Sequence, residues 1–312
     1  MHTPADMTLW QGRVDAEEGP LARRWHDRLQ ALRHDAPAGI ALLGFACDAG
    51  VQRNQGRTGA AEGPRTIRKA LANLAWHHEG HIYDAGDVTC EGDALEAAQS
   101  ELGRQVAHLL GEGHLPLVLG GGHEIAYGSF LGLAHHAERQ ADKPTIGIIN
   151  LDAHFDLRGG RQGSSGTPFR QIAEACAANG APFNYLVFGI SEPANTEALF
   201  HRARELNVTW RGDEDCIREH LEELLDTLTF FADEVDWLYL TVCLDVLPAA
   251  TAPGVSAPAA RGVELMVVEA LIDAAKATGK LMLADIAELN PVFDKDGITA
   301  KVAARLVWRL AR

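Results

Sequence analysis

The residues with most to offer chemistry stand together in Asp152-Ala-His154-Phe-Asp156. Alternate residues of an extended chain share one face. Fully extended, however, Asp152 and Asp156 would stand roughly 13 Å apart, at ~3.3 Å per residue. Both carboxylates can serve one site only if the chain curls after Asp152. His123 follows three glycines, Cys243 and Asp245 fall in Thr-Val-Cys-Leu-Asp, and Glu288 precedes Leu-Asn-Pro. Several oxygen donors with two imidazoles suit a borderline-hard divalent ion such as Mn²⁺. Donors in this number suit a pair of ions roughly 3.5–4 Å apart. Taken singly, each has an ordinary explanation: a histidine opening a helix, an aspartate in a surface turn, a glutamate solvating a loop. Their joint placement after apolar runs is what points to a metal site.

Residues this far apart in the chain need elements to gather them. Short runs rich in Val, Ile and Leu occur at 39–46, 82–84, 115–119, 145–151, 185–190, 237–244 and 281–286. Continuous apolar runs of this length predict strands buried on both faces, as in a parallel sheet. Segments with helical spacing lie between them, at 64–74, 94–110, 125–137, 216–231, 264–277 and 300–310. The first opens on Gly-Pro and places Ile67, Leu71 and Leu74 on one face. Strand–helix alternation along the whole chain predicts an α/β fold, a three-layer αβα domain with a mainly parallel central sheet. No linker or repeat divides it. Residues 1–312 read as one domain, with 1–35 as a peripheral N-terminal segment. In such sheets function collects at the carboxyl ends of the strands, which is where the polar residues above stand.

The chain has 312 residues and a formal charge of −15. An acidic balance argues against nucleic-acid binding, which needs basic groups to neutralise phosphates, and against docking on anionic membranes. No apolar run approaches the ~18–20 residues of a membrane span, and the N-terminus shows no secretory signal. Five scattered cysteines, Cys47, Cys90, Cys176, Cys216 and Cys243, form no disulfide framework. Reduced thiols in a cytoplasmic protein are the expectation.

The ordered motifs resemble the ureohydrolases, the arginase–agmatinase–formimidoylglutamase superfamily. The matches are Gly-Gly-Gly-His123, Asp152-Ala-His154-Phe-Asp156, Thr241-Val-Cys243-Leu-Asp245 with Pro253-Gly254, and Asp285-Ile-Ala-Glu288-Leu-Asn-Pro. Gly56-Arg57-Thr-Gly-Ala, Gly63-Pro64-Arg65 and Asp84-Ala-Gly-Asp87 extend the likeness, which spans about residues 39 to 310. Within the superfamily, Ser165-Gly-Thr-Pro-Phe-Arg170-Gln and Leu247-Pro-Ala-Ala with Val255-Ser-Ala-Pro-Ala-Ala look most like the formimidoylglutamase branch. The resemblance implies an arginase-like fold, two Mn²⁺ per subunit and a homo-oligomer. It implies that His123 and Asp156 bind one ion, that His154 and Asp245 bind the other, and that Asp152 bridges both. It further implies hydrolysis of N-formimidoyl-L-glutamate to L-glutamate and formamide, with metal-bound hydroxide attacking the formimidoyl carbon. Asp156 would then orient the nucleophile and pass on its proton, and Glu288 would pair with the amidinium. A dianionic substrate needs arginines for its carboxylates. Arg57, Arg158 and Arg170 are the candidates, Arg170 foremost.

Cys243 departs from the superfamily, most of which carries a bridging Asp there. A thiolate is a softer donor, supplies one atom instead of two, and must first lose its proton. The ion nearest Cys243 is therefore expected to be weakly held or absent. Cys47, at the end of the first long run, could pair with Cys243 in a redox switch if their Cα atoms come within about 4.4–6.8 Å. Two other readings stay open: a different ureohydrolase, such as an agmatinase, arginase or guanidino-acid hydrolase, and a metal-poor binding or structural homologue.

Overall fold

The apolar runs become strands at the centre of the molecule, where helices cover both faces. The computed structural model describes all 312 residues. In chain order the elements are β1 (His2–Thr3), α1 (Trp25–Arg28), β2 (Gln30–Ala31), β3 (Ile40–Ala46), α2 (Ala49–Arg53), α3 (Gly63–Ala72) and β4 (Ile82–Thr89). Then follow α4 (Leu95–Gly111), β5 (Leu115–Gly120), α5 (Ile125–Glu138), β6 (Ile146–Leu151), α6 (Pro168–Ala178), β7 (Asn184–Ile190), α7 (Glu197–Glu205) and β8 (Thr209–Gly212). The chain ends with α8 (Leu221–Asp233), β9 (Trp237–Cys243), α9 (Leu265–Ala277), β10 (Leu281–Ala287) and α10 (Ile298–Ala311).

The sheet runs β1-β4-β3-β5-β10-β9-β6-β7-β8, with β2 also paired to β4. Only the β1–β4 pairing is antiparallel. On one face α3, α8, α9 and α10 pack with the side chains of alternate strand positions. On the other, α4, α5 and α6 do so. This is the expected αβα arrangement. No helix is long and apolar enough to cross a membrane.

Several local differences have physical causes. The strand expected over 82–84 extends to Thr89, because buried Arg68 pins its polar stretch. Arg68 donates to both Asp84 oxygens, to Asp87 and to the Gly86 carbonyl. Gly86 has φ +85°, and a Cβ there would lie 2.0 Å from the Thr3 carbonyl oxygen. The helix expected from 216 begins at Leu221, since Cys216 closes the turn after β8 by donating its N–H to Gly212 O. The short elements α2, α6, α7 and β8 were not among the expected ones. The segment 1–35 covers the sheet edge: β1 and β2 pair with β4, while Trp10 and Trp25 are buried in the core. Trp10 Nε1 donates to Asp84 Oδ2 at 2.7 Å.

Candidate metal centre and active site

The four strands whose ends carry the suspected ligands, β5, β10, β9 and β6, are consecutive neighbours in the middle of the sheet. His123, Glu288, Cys243 with Asp245, and Asp152 therefore arrive side by side. The glycine-rich turn after β5 is wedged between two other strand ends. Gly121 and Gly122 donate to Phe45 O and Cys47 O, and Gly121 O accepts from Glu288 N at 2.8 Å. A Cβ on Gly121 would lie 1.8 Å from the Cys47 carbonyl oxygen, so no larger residue fits this close approach.

The chain does curl after Asp152. Asp156 adopts φ +49° and Glu288 φ +73°, a left-handed conformation that costs a non-glycine residue about 1–3 kcal/mol and clusters at functional sites. The curl is held by its own backbone and by its neighbours. His154 N donates to Asp152 Oδ1 at 2.8 Å, and Phe155 N donates to Asn195 Oδ1 at 3.1 Å. Asn150 Nδ2 donates to Asp152 Oδ2 and to the Tyr185 hydroxyl, which donates to Phe155 O.

Asp152 ends between the two imidazoles. Its Oδ2 lies 2.9 Å from His123 Nδ1, and its Oδ1 lies 3.6 Å from His154 Nδ1. His123 Nδ1 is also 3.0 Å from Asp156 Oδ2, and His154 Nδ1 is 3.2 Å from Asp245 Oδ2. One carboxylate oxygen toward each histidine is the disposition a bridging ligand requires. Ligand atoms of His123, Asp152 and Cys243 lie within 4.8 Å of one another, as do those of Asp152, His154 and Asp245. Asp245 Oδ1 is buried without a hydrogen-bond partner, and His123 Nδ1 faces only carboxylate oxygens. Orphaned donors of this kind fit cation ligation, since buried polar groups otherwise find partners.

The electrostatics have the same sense. Burial opposes charge on Asp152, yet His123 and His154 hold its carboxyl below the usual carboxylate range. Burial and the Asp152 charge push Asp156 up to about 6. Burial, then Glu124 and Asp245, push Glu288 up to about 8. Burial, then the charges of Asp152, Asp245 and Glu288, raise the Cys243 thiol well above its ordinary value. This concentration of buried negative charge favours a bound cation.

The other expected residues are placed as follows. Arg57 donates to the carbonyls of Val255 and Ser256 and lies 4.1 Å over the Phe293 ring. Arg170 donates to Arg158 O at 2.7 Å and pairs with Glu174 at 2.5 Å. Arg158 is exposed on the loop after Asp156, and its side chain runs past Gly166, near Asn54. Asn54 in turn donates to Ser165 Oγ at 3.1 Å. Cys47 and Cys243 are free thiols with different neighbours. Cys47 faces Glu124 and Cys90, whereas Cys243 faces the carboxylates named above. A cavity of 950 Å³ beside Phe183, Phe230 and Phe231 touches none of these residues.

The motif-based expectations passed over Asn150, Tyr185, Asn195, Thr241 and Asp285. Asn150 had a legible signal, standing two residues before Asp152 on the same strand face. Asn195 and Tyr185 reach the site only through the packing of β7 and the segment that follows it.

Comparison with known proteins agrees with this geometry. A model described as the arginase family matches residues 38–312. The chain is 59% identical over 313 residues to a formimidoylglutamase of Ralstonia nicotianae, covering 99% of this chain and 96% of the relative. Among solved structures, formimidoylglutamase from Bacillus subtilis matches with a TM-score of 0.84 at 23% identity, covering 96% of this chain and 93% of that one. Trypanosoma cruzi formiminoglutamase with Mn²⁺ matches with a TM-score of 0.76 at 26% identity, covering 88% and 92%. On the extent of the family match and the near-complete identity span, the chain belongs to the arginase family.

Proposed function

We propose that this chain hydrolyses N-formimidoyl-L-glutamate to L-glutamate and formamide at a centre of two manganese ions. The observation that carries this is the 59% identity, over nearly the whole of both chains, to a protein named formimidoylglutamase. Manganese is supported by the donor set and by the Mn²⁺ in the Trypanosoma cruzi structure.

His123, Asp152, Asp156 and Cys243 would hold one ion, and Asp152, His154 and Asp245 the other. When bound, manganese lowers the pKa of water toward neutrality and so supplies a nucleophile at physiological pH. Of the protein's own groups, Asp156 takes the proton released as the water oxygen bonds to the formimidoyl carbon. It delivers that proton to the glutamate nitrogen as the C–N bond breaks. Glu288 Oε1 is anchored by the His123 backbone N–H, and Oε2 is left to accept an amidinium N–H. Arg158 is the guanidinium best placed for a substrate carboxylate, because Arg57 and Arg170 are engaged within the fold. The ion beside Cys243 is the weaker of the two, since a buried thiol must give up its proton to bind it. Homo-oligomeric assembly is inferred from the family resemblance, and a cytoplasmic setting from five cysteines that form no disulfide framework.

A substrate panel with manganese and thiol reductant tests the activity. Formamide release from N-formimidoyl-L-glutamate, with no urea from arginine or agmatine, is the expected outcome. Urea release from either guanidine at a comparable kcat/KM would overturn it.

A further inference from the structure

Behind the metal-facing residues runs a buried polar chain that makes no contact with the expected substrate position. His123 Nε2 lies 3.0 Å from Thr241 Oγ1. Thr241 stands opposite Asp285 in the parallel register of β9 and β10, so the two side chains leave the same face of the sheet as neighbours. Asp285 Oδ2 accepts hydrogen bonds from Ser129 Oγ of α5 at 2.8 Å and from the Tyr239 hydroxyl at 2.5 Å. Oδ1 is buried and has no hydrogen-bond partner, and Thr241 is the neighbouring hydroxyl that can supply one. Thr241, Asp285, Ser129 and Tyr239 are all at most 1% exposed, so bulk solvent does not reach the network.

Proton counting gives the chain a direction. A threonine hydroxyl has one proton to donate. Were it given to His123 Nε2, Asp285 Oδ1 would remain a buried acceptor with no donor, which is unfavourable. With the proton on Nε2 instead, the imidazole donates to Thr241 Oγ1, and Thr241 is free to donate to Asp285. The remaining ring nitrogen, Nδ1, is the one facing Asp152 Oδ2 and Asp156 Oδ2 at 2.9 and 3.0 Å. Metal-ligating histidines are commonly fixed in this way by a partner on the far nitrogen.

We propose that Asp285, acting through Thr241, is the positioning residue that fixes the ring orientation and tautomer of His123, so that Nδ1 presents its lone pair to a divalent cation. Tyr239 and Ser129 hold the Asp285 carboxylate from the opposite side, which ties β9, β10 and α5 to one ligand. The inference rests on the manganese centre proposed above and is independent of which substrate is hydrolysed.

The test compares wild type with Thr241→Val, Thr241→Ser and Asp285→Asn. Mn²⁺ binding is followed through the electron paramagnetic resonance signal of the free ion, which resolves two dissociation steps. Thr241→Val and Asp285→Asn should weaken the step served by His123 about 10- to 100-fold, leaving the other within about twofold, while Thr241→Ser restores it. Equal weakening of both steps, or of neither, would overturn the relay. A second readout needs no metal. In ¹⁵N-labelled metal-free protein, the His123 Nε2–H proton should be protected from solvent exchange in wild type and lose protection in Thr241→Val. An unprotected Nε2–H in wild type would refute the relay directly. A protected Nε2–H in a wild type that binds no Mn²⁺ would support the hydrogen-bonded chain and count against the manganese centre instead.

Discussion

Glu288 Oε1 accepts a 2.9 Å hydrogen bond from the His123 backbone N–H, which locks the end of β10 to the turn that follows β5. The lock is reciprocal, because Glu288 donates its own N–H to Gly121 O at 2.8 Å. The left-handed backbone of Glu288 is thereby held on both sides, with the carboxylate fixed before any substrate arrives. Glu288→Gln retains the shape and one acceptor and removes the charge. Its kcat/KM on N-formimidoyl-L-glutamate should fall roughly 10- to 100-fold, as for losing a hydrogen bond to a charged group worth about 1.5–3 kcal/mol. Manganese content should be unchanged. Steady-state kinetics with metal analysis checks both.

Arg158 and Arg170 should separate cleanly. Arg158→Ala should raise KM for the dianionic substrate about tenfold or more, within the range of a charge-assisted contact. It should have little effect on N-alkyl formamidines that lack carboxylates. Arg170→Ala removes the bond to Arg158 O and the pair with Glu174, so it should loosen the loop and affect both substrates alike. A substrate-selective loss in Arg170→Ala and an equal loss in Arg158→Ala would reverse the assignment.

Manganese retention should depend on pH through Cys243. Burial and three neighbouring carboxylates favour the protonated thiol, so binding there releases a proton. Affinity then rises with pH, by up to about tenfold per unit for one displaced proton. Cys243→Asp supplies an acid with two donor atoms and a lower intrinsic pKa. After dialysis at pH 6.5 the variant should retain more manganese per subunit than wild type, and the gap should narrow at pH 8.5. Metal analysis of the dialysed proteins decides it, and identical retention would show that Cys243 is not a ligand.

Glu124 carries a stability signature in the metal-free protein. Burial pushes its carboxyl up to about 7 from an ordinary 4.5. A raised acid pKa means that the folded state prefers the protonated form. Its contribution is therefore present below pH 4.5, is lost as pH rises toward 7, and is constant above. Glu124→Gln has no such titration. Relative to wild type it should gain on the order of 3 kcal/mol between pH 4.5 and 8. Urea unfolding of the metal-free proteins at several pH values measures the gain.

The central strands are legible because burial on both faces leaves few polar side chains along β5 (Leu-Pro-Leu-Val-Leu-Gly), β6 (Ile-Gly-Ile-Ile-Asn-Leu) and the start of β9 (Trp-Leu-Tyr-Leu). The ligands were legible because they follow those runs directly. At the sheet edge the pattern fails: β8 reads Thr-Trp-Arg-Gly, with no apolar run to announce it. Helix α6 has a buried stripe, Phe169, Ile172, Ala173 and Cys176, but it is short and opens on the Thr-Pro-Phe-Arg170 motif, which reads as a loop. Arg57 looks available because its partners, the carbonyls of Val255 and Ser256, are backbone atoms that no side-chain pattern reveals, whereas Arg170 has one such partner, the Arg158 carbonyl, and one legible at i,i+4 spacing, Glu174. Thr241 and Asp285 lay in recognisable motifs, yet their connection exists only through the β9–β10 register.

The central claim is hydrolysis of N-formimidoyl-L-glutamate at two manganese ions held by this donor set, and a metal titration of turnover tests it most directly. Metal-free protein kept under thiol reductant is supplied with Mn²⁺ in steps, and formamide release is measured at each. Activity should be negligible without metal and should climb through the second equivalent per subunit, the later part with lower affinity. Full activity in the metal-free protein, or no formamide at any manganese level from folded protein that has taken up two ions, would contradict it.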